Sequence, residues 1–402
     1  MNLALSRPNL ISLAAGFTDN ESLPVDFTRE IVNELMKQAK KGQPALQYGP
    51  TPGDPVLREQ TAKRLFAMDQ ACRPRTAKSR YDVERTLITN GSQQLLYILT
   101  EALCDPGDIV LVEDPTYFVY LGIAQSHGLD CRGVKLEDDG IDLDHLESVL
   151  TRLKKSGALK RVKMLYLVTY YQNPSCLTTS LAKKKAALEL LAKFEKSAGH
   201  PIYLLEDAAY RELRFTGADT PSTLTLPGAE ERVIYTGTYS KPFATGIRAG
   251  YGILPEEICT IVSRIKGNHD FGTANIVQHV LSRALQTGKY ERHLDQLRKR
   301  YAHKAATMLT AIKKHFPDDV TWPETKGGLY YWASAPKRTG IKSKLFQAAL
   351  DAGVFYVPGA LCYADDPARK KPDNKMRISF GAASEKNIRA GIRLLGGALS
   401  HD

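Results

Sequence analysis

Short apolar runs alternate with amphipathic helical stretches between residues 84 and 254, and this pattern predicts an α/β protein built on a mostly parallel sheet. Two further observations extend the expectation to a second domain. The chain's 402 residues exceed what one hydrophobic core usually serves. Beyond about residue 275 the texture changes to long helices followed by a glycine-bearing strand. A smaller α/β domain is therefore expected there, joined by the N-terminal segment.

The strand candidates are Thr86–Thr89, Ile109–Glu113, Lys163–Thr169, Ile202–Glu206, Val233–Thr236 and Gly250–Leu254. Several are apolar throughout, as strands covered on both faces must be. Helical stretches, among them Ser92–Leu103 and Leu181–Lys196, separate them. Further on come helices over Ile276–Gln286 and Tyr290–His315, then a strand in Gly327-Gly328-Leu329-Tyr330-Tyr331-Trp332. A turn at Pro358-Gly359, a strand at Met376–Phe380 and a last helix complete the chain. In parallel sheets ligands lie beyond the carboxyl ends of the strands, so unusual polar residues should cluster just after each one.

Composition narrows the function. Hydrophobic residues at 43% and charged residues at 25% are ordinary for a globular protein. No apolar run approaches the ~18 residues that span a bilayer, so no membrane partner is expected. Arg7 and Pro8 interrupt what would be the apolar core of a secretory signal, and Leu399-Ser400-His401-Asp402 matches no retention or peroxisomal address. Six cysteines without a CxxC pair suit a reducing compartment, hence the cytoplasm. Neither HExxH nor GxxxxGK[ST] occurs, so no metal and no P-loop are expected. The net charge of +11 raises nucleic acid as a partner. Its run Lys183-Lys184-Lys185 is better explained as the solvated face of an amphipathic helix, and nucleic acid is not expected.

The chemistry-bearing residues follow the strands. Lys241 ends the run Thr238-Tyr239-Ser240-Lys241, with Arg248 seven residues on. A desolvated amine beside a fixed cation suits carbonyl condensation next to a phosphate. Thr89-Asn90-Gly91-Ser92-Gln93 places a glycine turn before a helix, which is either an anion site or a simple N-cap by Ser92. Tyr117, after Asp114-Pro115-Thr116, either packs or stacks on a planar ring. Asn173, in Gln172-Asn173-Pro174, either starts a turn or offers an amide to a ligand oxygen. Asp207, in Glu206-Asp207-Ala208-Ala209-Tyr210, is either a cap or a buried counter-ion. Arg377 lies in the apolar run Met376-Arg377-Ile378-Ser379-Phe380, where a guanidinium needs an anion, structural or bound.

In order and spacing these residues resemble the class I/II pyridoxal-phosphate aminotransferases of fold type I, from Ile11-Ser12-Leu13-Ala14-Ala15-Gly16 to Arg377 and the last helix. The nearest branch holds kynurenine and 2-aminoadipate aminotransferases and the aminotransferase-like domains of bacterial regulators. The resemblance implies a large domain at 44–278 with a mostly parallel seven-stranded sheet, a small α/β domain at 279–402, and an N-terminal segment, 1–43, packing with the latter. It implies pyridoxal 5'-phosphate as cofactor and a ping-pong exchange between an L-amino acid and a 2-oxo acid. Lys241 would form the internal aldimine and carry the proton, and Asp207 would hold the ring nitrogen protonated. Asn173 and Tyr210 would bond the phenolic oxygen, while Tyr117 stacks on the ring. Ser92, Gln93, Thr238, Ser240 and Arg248 would hold the phosphate. Tyr48 resembles a tyrosine sent to the neighbouring subunit's phosphate, which implies a homodimer with composite sites. Arg377 would bind the substrate α-carboxylate and Gly16 would line the entrance.

Two positions depart from the family pattern. Asn173-Pro174-Ser175-Cys176 replaces the usual Asn-Pro-Thr-Gly, so Cys176 is strained if that position needs positive φ. Thr169 stands where proline is common. Other outcomes on the same cofactor (β-lyase, decarboxylase, cyclase) share the fold. A non-catalytic sensor is less favoured, because the pattern begins by residue 12 and leaves no room ahead of it for a helix-turn-helix. The entrance segment Phe17-Thr18-Asp19-Asn20-Glu21-Ser22 offers acids and no arginine, which points to a neutral, aromatic or basic substrate side chain.

Overall fold

The structure, a computed structural model, describes residues 10–400. Arg7, Pro8, His401 and Asp402 lie outside the described residues. The strands in chain order are β1 (Ile11–Ser12), β2 (Thr86–Thr89), β3 (Ile109–Asp114), β4 (Asp130–Glu137), β5 (Gly140–Ile141), β6 (Val162–Val168) and β7 (Tyr203–Asp207). After them come β8 (Val233–Thr238), β9 (Gly250–Ile253), β10 (Tyr330–Ser334), β11 (Val354–Phe355), β12 (Val357–Pro358) and β13 (Lys375–Ser379).

The main sheet runs β2-β9-β8-β7-β6-β3-β4-β5. β8, β7, β6, β3 and β4 are mutually parallel, and β9 is antiparallel to both its neighbours. Seven strands are thus substantial, as expected, and the eighth is the two-residue ribbon β5 at the edge. Every residue of β2 is buried, as are the first five of β3, which is why these strands read as plain apolar runs. β4, Asp-Cys-Arg-Gly-Val-Lys-Leu-Glu, carries no such signal because it is half-exposed near the edge. Helices Ser92–Leu103 and Leu181–Ala198 flank the sheet, the second capped by the Ser180 side chain and ended by left-handed Gly199.

The C-terminal part forms a second sheet, β10-β13-β12, antiparallel throughout. The N-terminal segment joins it: β1 pairs in parallel with β11, and the Ser379 amide donates to the Leu13 carbonyl at 2.7 Å. This docking matters for the site, because residues 14–17 leave β1 directly over the carboxyl ends of the large sheet's strands.

The lysine run departs from expectation. Lys185 is exposed and pairs with Glu189, but Lys184 is fully buried, 2.9 Å from the equally buried Glu206. The Lys184 ammonium also donates to the Pro221 carbonyl and lies 4.0 Å from the centre of the Tyr170 ring. Glu206 accepts from the Thr169 hydroxyl at 2.9 Å and the Thr223 amide at 2.7 Å. Thr169, the departure from proline, thus has two jobs: its hydroxyl satisfies a buried carboxylate and its amide donates to the Asp207 carbonyl. The pair anchors the end of β7 one residue before Asp207. Cys176 has a positive φ, 66°, so its position does take the left-handed conformation that suits the family's glycine.

Replacing Lys184 with Met leaves Glu206 buried and unpaired, which should cost about 3–5 kcal/mol in urea unfolding. A loss below about 1 kcal/mol would show that Glu206 finds other compensation.

Candidate active site

The carboxyl ends of the parallel strands open on a pocket whose empty space, part of it open to solvent, is about 610 Å³. Its lining includes Ser92, Gln93, Tyr117, Asn173, Asp207, Tyr210, Thr238, Ser240, Lys241 and Arg248. Residues from five chain segments, separate in sequence, meet here.

Lys241 follows β8 and points its amine at the N-terminal segment, donating to the Gly16 carbonyl at 2.7 Å. Burial, with the Arg377 and Arg248 cations nearby, pulls this amine down to about 8. A lysine so placed is partly neutral near physiological pH, as a nucleophilic amine must be. Asp207 closes β7 and is buried. It accepts from the Tyr166 hydroxyl at 2.9 Å and the Ala209 amide at 3.1 Å. Burial raises its carboxyl to about 6 against these two bonds, so it remains mostly ionised at neutral pH and ready for a cationic partner.

The opposite end of the pocket is built for an anion. Gly91, at φ 78°, precedes the helix that opens at Ser92, and no side chain caps that helix. Ser92 is therefore not an N-cap; the first amides of the helix are left for a ligand. Gly250 lets β9 approach closely, since a Cβ there would stand 2.3 Å from the Ser92 nitrogen. Arg248 lies in the left-handed region at φ 45° and packs its guanidinium against Gly91. The Ser240 hydroxyl is buried and finds no protein partner. Thr238 lines the same wall, but its hydroxyl donates to the Ala249 carbonyl and accepts from the Ser240 amide.

Arg377 lies on β13, buried beside this pocket. Its Nη1 donates to Asn173 Oδ1 and its Nη2 to the Ala14 carbonyl, both at 2.7 Å. Its guanidinium sits 4.3 Å from the centre of the Tyr330 ring. Its Nε has no partner, and among the described residues it forms no ion pair. The Asn173 amide nitrogen faces the Tyr210 hydroxyl at 3.5 Å. Tyr48, by contrast, is outside the pocket: it is 81% exposed, its ring edge-on to Phe271 at 5.1 Å.

Three supporting groups carried little sequence signal. Tyr166 holds Asp207, and in sequence it is one aromatic among the apolar residues of β6. Glu113, buried at the end of β3, accepts from the Val168 amide at 2.8 Å and Gln172 Nε2 at 2.5 Å. Burial pushes its carboxyl up to about 8. Gln172 in turn accepts from Ser175, pinning the loop that carries Asn173. Tyr330 bonds Tyr210 through their hydroxyls at 3.0 Å.

The donor set fits pyridoxal phosphate. Free helix amides, an orphaned buried hydroxyl and Arg248 suit its phosphate, Asp207 suits its ring nitrogen, and Lys241 suits its aldehyde. Comparison with known proteins agrees. The model of the family described as aminotransferase class I and II matches residues 8–395. Aromatic-amino-acid aminotransferase 1 of Thermococcus litoralis is 32% identical over 392 residues, covering 96% of this chain and 87% of its own. The 2-aminoadipate transaminase of Thermus thermophilus is 32% identical over 399 residues, covering 98% and 91%. Among solved structures, Pyrococcus horikoshii kynurenine aminotransferase in complex with PMP matches with a TM-score of 0.88 at 32% identity, covering 99% of this chain and 92% of its own. The chain belongs to the class I and II aminotransferases, with the fold type I architecture and pyridoxal phosphate as its cofactor.

Proposed function

We propose that this aminotransferase takes an amino acid with a neutral, preferentially aromatic, side chain as donor. Arg377 would grip its α-carboxylate, and Lys241 would move the proton at the substrate Cα. The observation that carries the reading is Arg377: buried, short of one partner, and sharing Asn173 with Tyr210. Pyridoxal phosphate, when bound, supplies the carbonyl and an electron-withdrawing ring. Asp207 keeps the ring nitrogen cationic, and Asn173 with Tyr210 hydrogen-bonds the phenolic oxygen. Tyr117 covers one ring face. Ser92, Gln93, Ser240 and Arg248 hold the phosphate, with Thr238 ordering Ser240. Gly16, through its carbonyl, orients the Lys241 amine.

The side-chain preference rests on which charges are already committed. Asp19 is buried against Lys304 at 2.7 Å and Arg300 at 3.2 Å, and Glu21 pairs with Arg300 at 2.6 Å. The acids that favoured a basic substrate are thus neutralised, and so are the nearby cations that an acidic substrate would need. Exposed Phe17 and the Tyr330 hydroxyl flank Gly16 at the entrance. Glutamate with 2-oxoglutarate is a compatible second pair.

A homodimer is the second part of the reading. Leu46, Tyr48 and Phe271 are large exposed side chains, Tyr48 packing on Phe271, as an association surface would present. Tyr48 would reach the phosphate of the partner's site. The N-terminal segment (1–43) with 279–402 would form the smaller domain against 44–278, supported by the pairing of β1 with β11. Six free thiols suit a cytoplasmic setting, and no helix among the described residues is long and apolar enough to cross a membrane.

Replacing Lys241 with Ala should abolish turnover with every donor; wild-type rates would end the assignment. Covalent uptake of pyridoxal phosphate by the apoenzyme should quicken about tenfold per pH unit at low pH and level off above about pH 8, where most of the amine is neutral. An ordinary lysine would keep climbing to about 10.4. In a donor panel, aromatic amino acids should give a higher kcat/KM than glutamate or 2-aminoadipate, and the reverse order would overturn the side-chain preference. Tyr48→Phe should weaken cofactor binding about tenfold, the scale of one bond to a charged group. Mixing it with Lys241→Ala subunits should restore tight sites by exchange; unchanged weak binding in the mixture would contradict composite sites.

A further inference from the structure

Tyr330 carries a buried hydroxyl at the site for which the mechanism above has no chemical role. It opens β10, is 1% exposed, and stands at a junction of three functional groups. Its hydroxyl is 3.0 Å from that of Tyr210. Its ring carries the Arg377 guanidinium 4.3 Å from its centre. Its hydroxyl also occupies the space beside Gly16, where any Cβ would fall 2.7 Å from it. The backbone fixes the residue firmly, since its carbonyl accepts from both the Thr325 hydroxyl and the Cys176 thiol at 2.9 Å.

We propose that Tyr330 is a positioning residue that connects the α-carboxylate anchor Arg377 to the cofactor ligand Tyr210. This rests on Tyr210 being the ligand of the phenolic oxygen. A phenol has a single proton. Once Tyr210 donates its own to the cofactor, the short contact between the two hydroxyls holds only if Tyr330 is the donor. Donation into the Tyr210 oxygen makes Tyr210 a stronger donor in turn, because hydrogen bonds in a chain polarise one another. The cation on the Tyr330 ring strengthens that donation further, drawing electron density from the phenol. Tyr330 therefore stabilises the anionic phenolic oxygen at second hand, and it responds to whatever occupies Arg377. Asn173 forms a parallel connection, touching both Arg377 and Tyr210, so Tyr330 contributes part of the link rather than all of it.

The groups facing the hydroxyl pair are Arg377 from β13, Tyr117 after β3, and Lys241 and Asp207 at the ends of β8 and β7. Tyr330→Phe removes none of them. It deletes one oxygen and keeps the ring under Arg377.

The test is a spectroscopic pH titration of the cofactor-loaded enzyme, read from its visible absorption without turnover. Less stabilisation of the phenolic oxygen makes the neighbouring imine hold its proton more tightly. Tyr330→Phe should therefore move the midpoint upward by about half a pH unit or more, the scale of one neutral hydrogen bond. In a Tyr210→Phe background the same change should move it by less than about 0.2 unit, as expected if Tyr330 acts only through Tyr210. A midpoint unchanged by Tyr330→Phe, or an equal shift in both backgrounds, would overturn the proposal. Should the Phe variant load poorly, 3-fluorotyrosine at position 330, a more acidic phenol, should lower the midpoint, and an unmoved midpoint would again overturn it. If wild-type protein forms no visible band with pyridoxal phosphate, the reading of Lys241 fails, and that outcome is distinct from a band that forms but does not shift.

Discussion

A guanidinium with no carboxylate partner among the described residues, buried on β13, is the constraint on which the site depends. Taking a cation out of water costs several kcal/mol unless something answers its charge. Among the described residues Arg377 is answered by dipoles and rings: the Asn173 amide oxygen, the Ala14 carbonyl and the faces of Tyr330 and Phe118. Each of these comes from a different part of the chain. The N-terminal segment must dock on β11 to bring Ala14, the loop after β6 must fold back to bring Asn173, and β10 must pair with β13 to bring Tyr330. The fold thus assembles around a cation that has no carboxylate partner among the described residues, as the proposed grip on a substrate carboxylate requires.

The same logic orders the rest of the pocket. Negative charge is stationed at one end on Asp207, which Tyr166 and the Ala209 amide steady in a buried setting. Positive charge is stationed at the other, on Arg248 and the uncapped amides beginning at Ser92. Lys241 lies between them, its proton loosened by burial and by two arginines. Around them lie partnered carboxyl groups: Glu206 with Lys184, Glu113 with Gln172, and Asp19 with Lys304 and Ser22 each fix a segment that carries a functional side chain.

Much of this was legible in the sequence because the active groups follow strands whose apolar runs are unmistakable, such as β3 before Tyr117 and β7 before Asp207. Lys241, Asp207 and Arg377 stood out as charges in apolar surroundings. Three things were hidden, each for a physical reason. β4 was missed because its charges, Asp130, Arg132, Lys135 and Glu137, break up a half-exposed run in which only Gly133 and Val134 are buried. Lys184 looked solvated because its partner Glu206 lies 22 residues away on another element. Tyr166 and Tyr330 looked like ordinary core aromatics; what makes them functional is the hydroxyl's partner, which only the folded chain brings within reach.

The most direct measurement is the affinity of the cofactor-loaded enzyme for 3-phenylpropionate, a carboxylate that lacks the amino group and cannot react, in wild type and in Arg377→Ala. If the buried guanidinium is held open for a carboxylate, its removal should weaken binding by about thirty-fold or more, the scale of losing one partner of a buried charge pair, with the helical circular dichroism unchanged. Equal affinity in the two proteins would mean that the carboxylate is gripped elsewhere and that Arg377 serves only the fold.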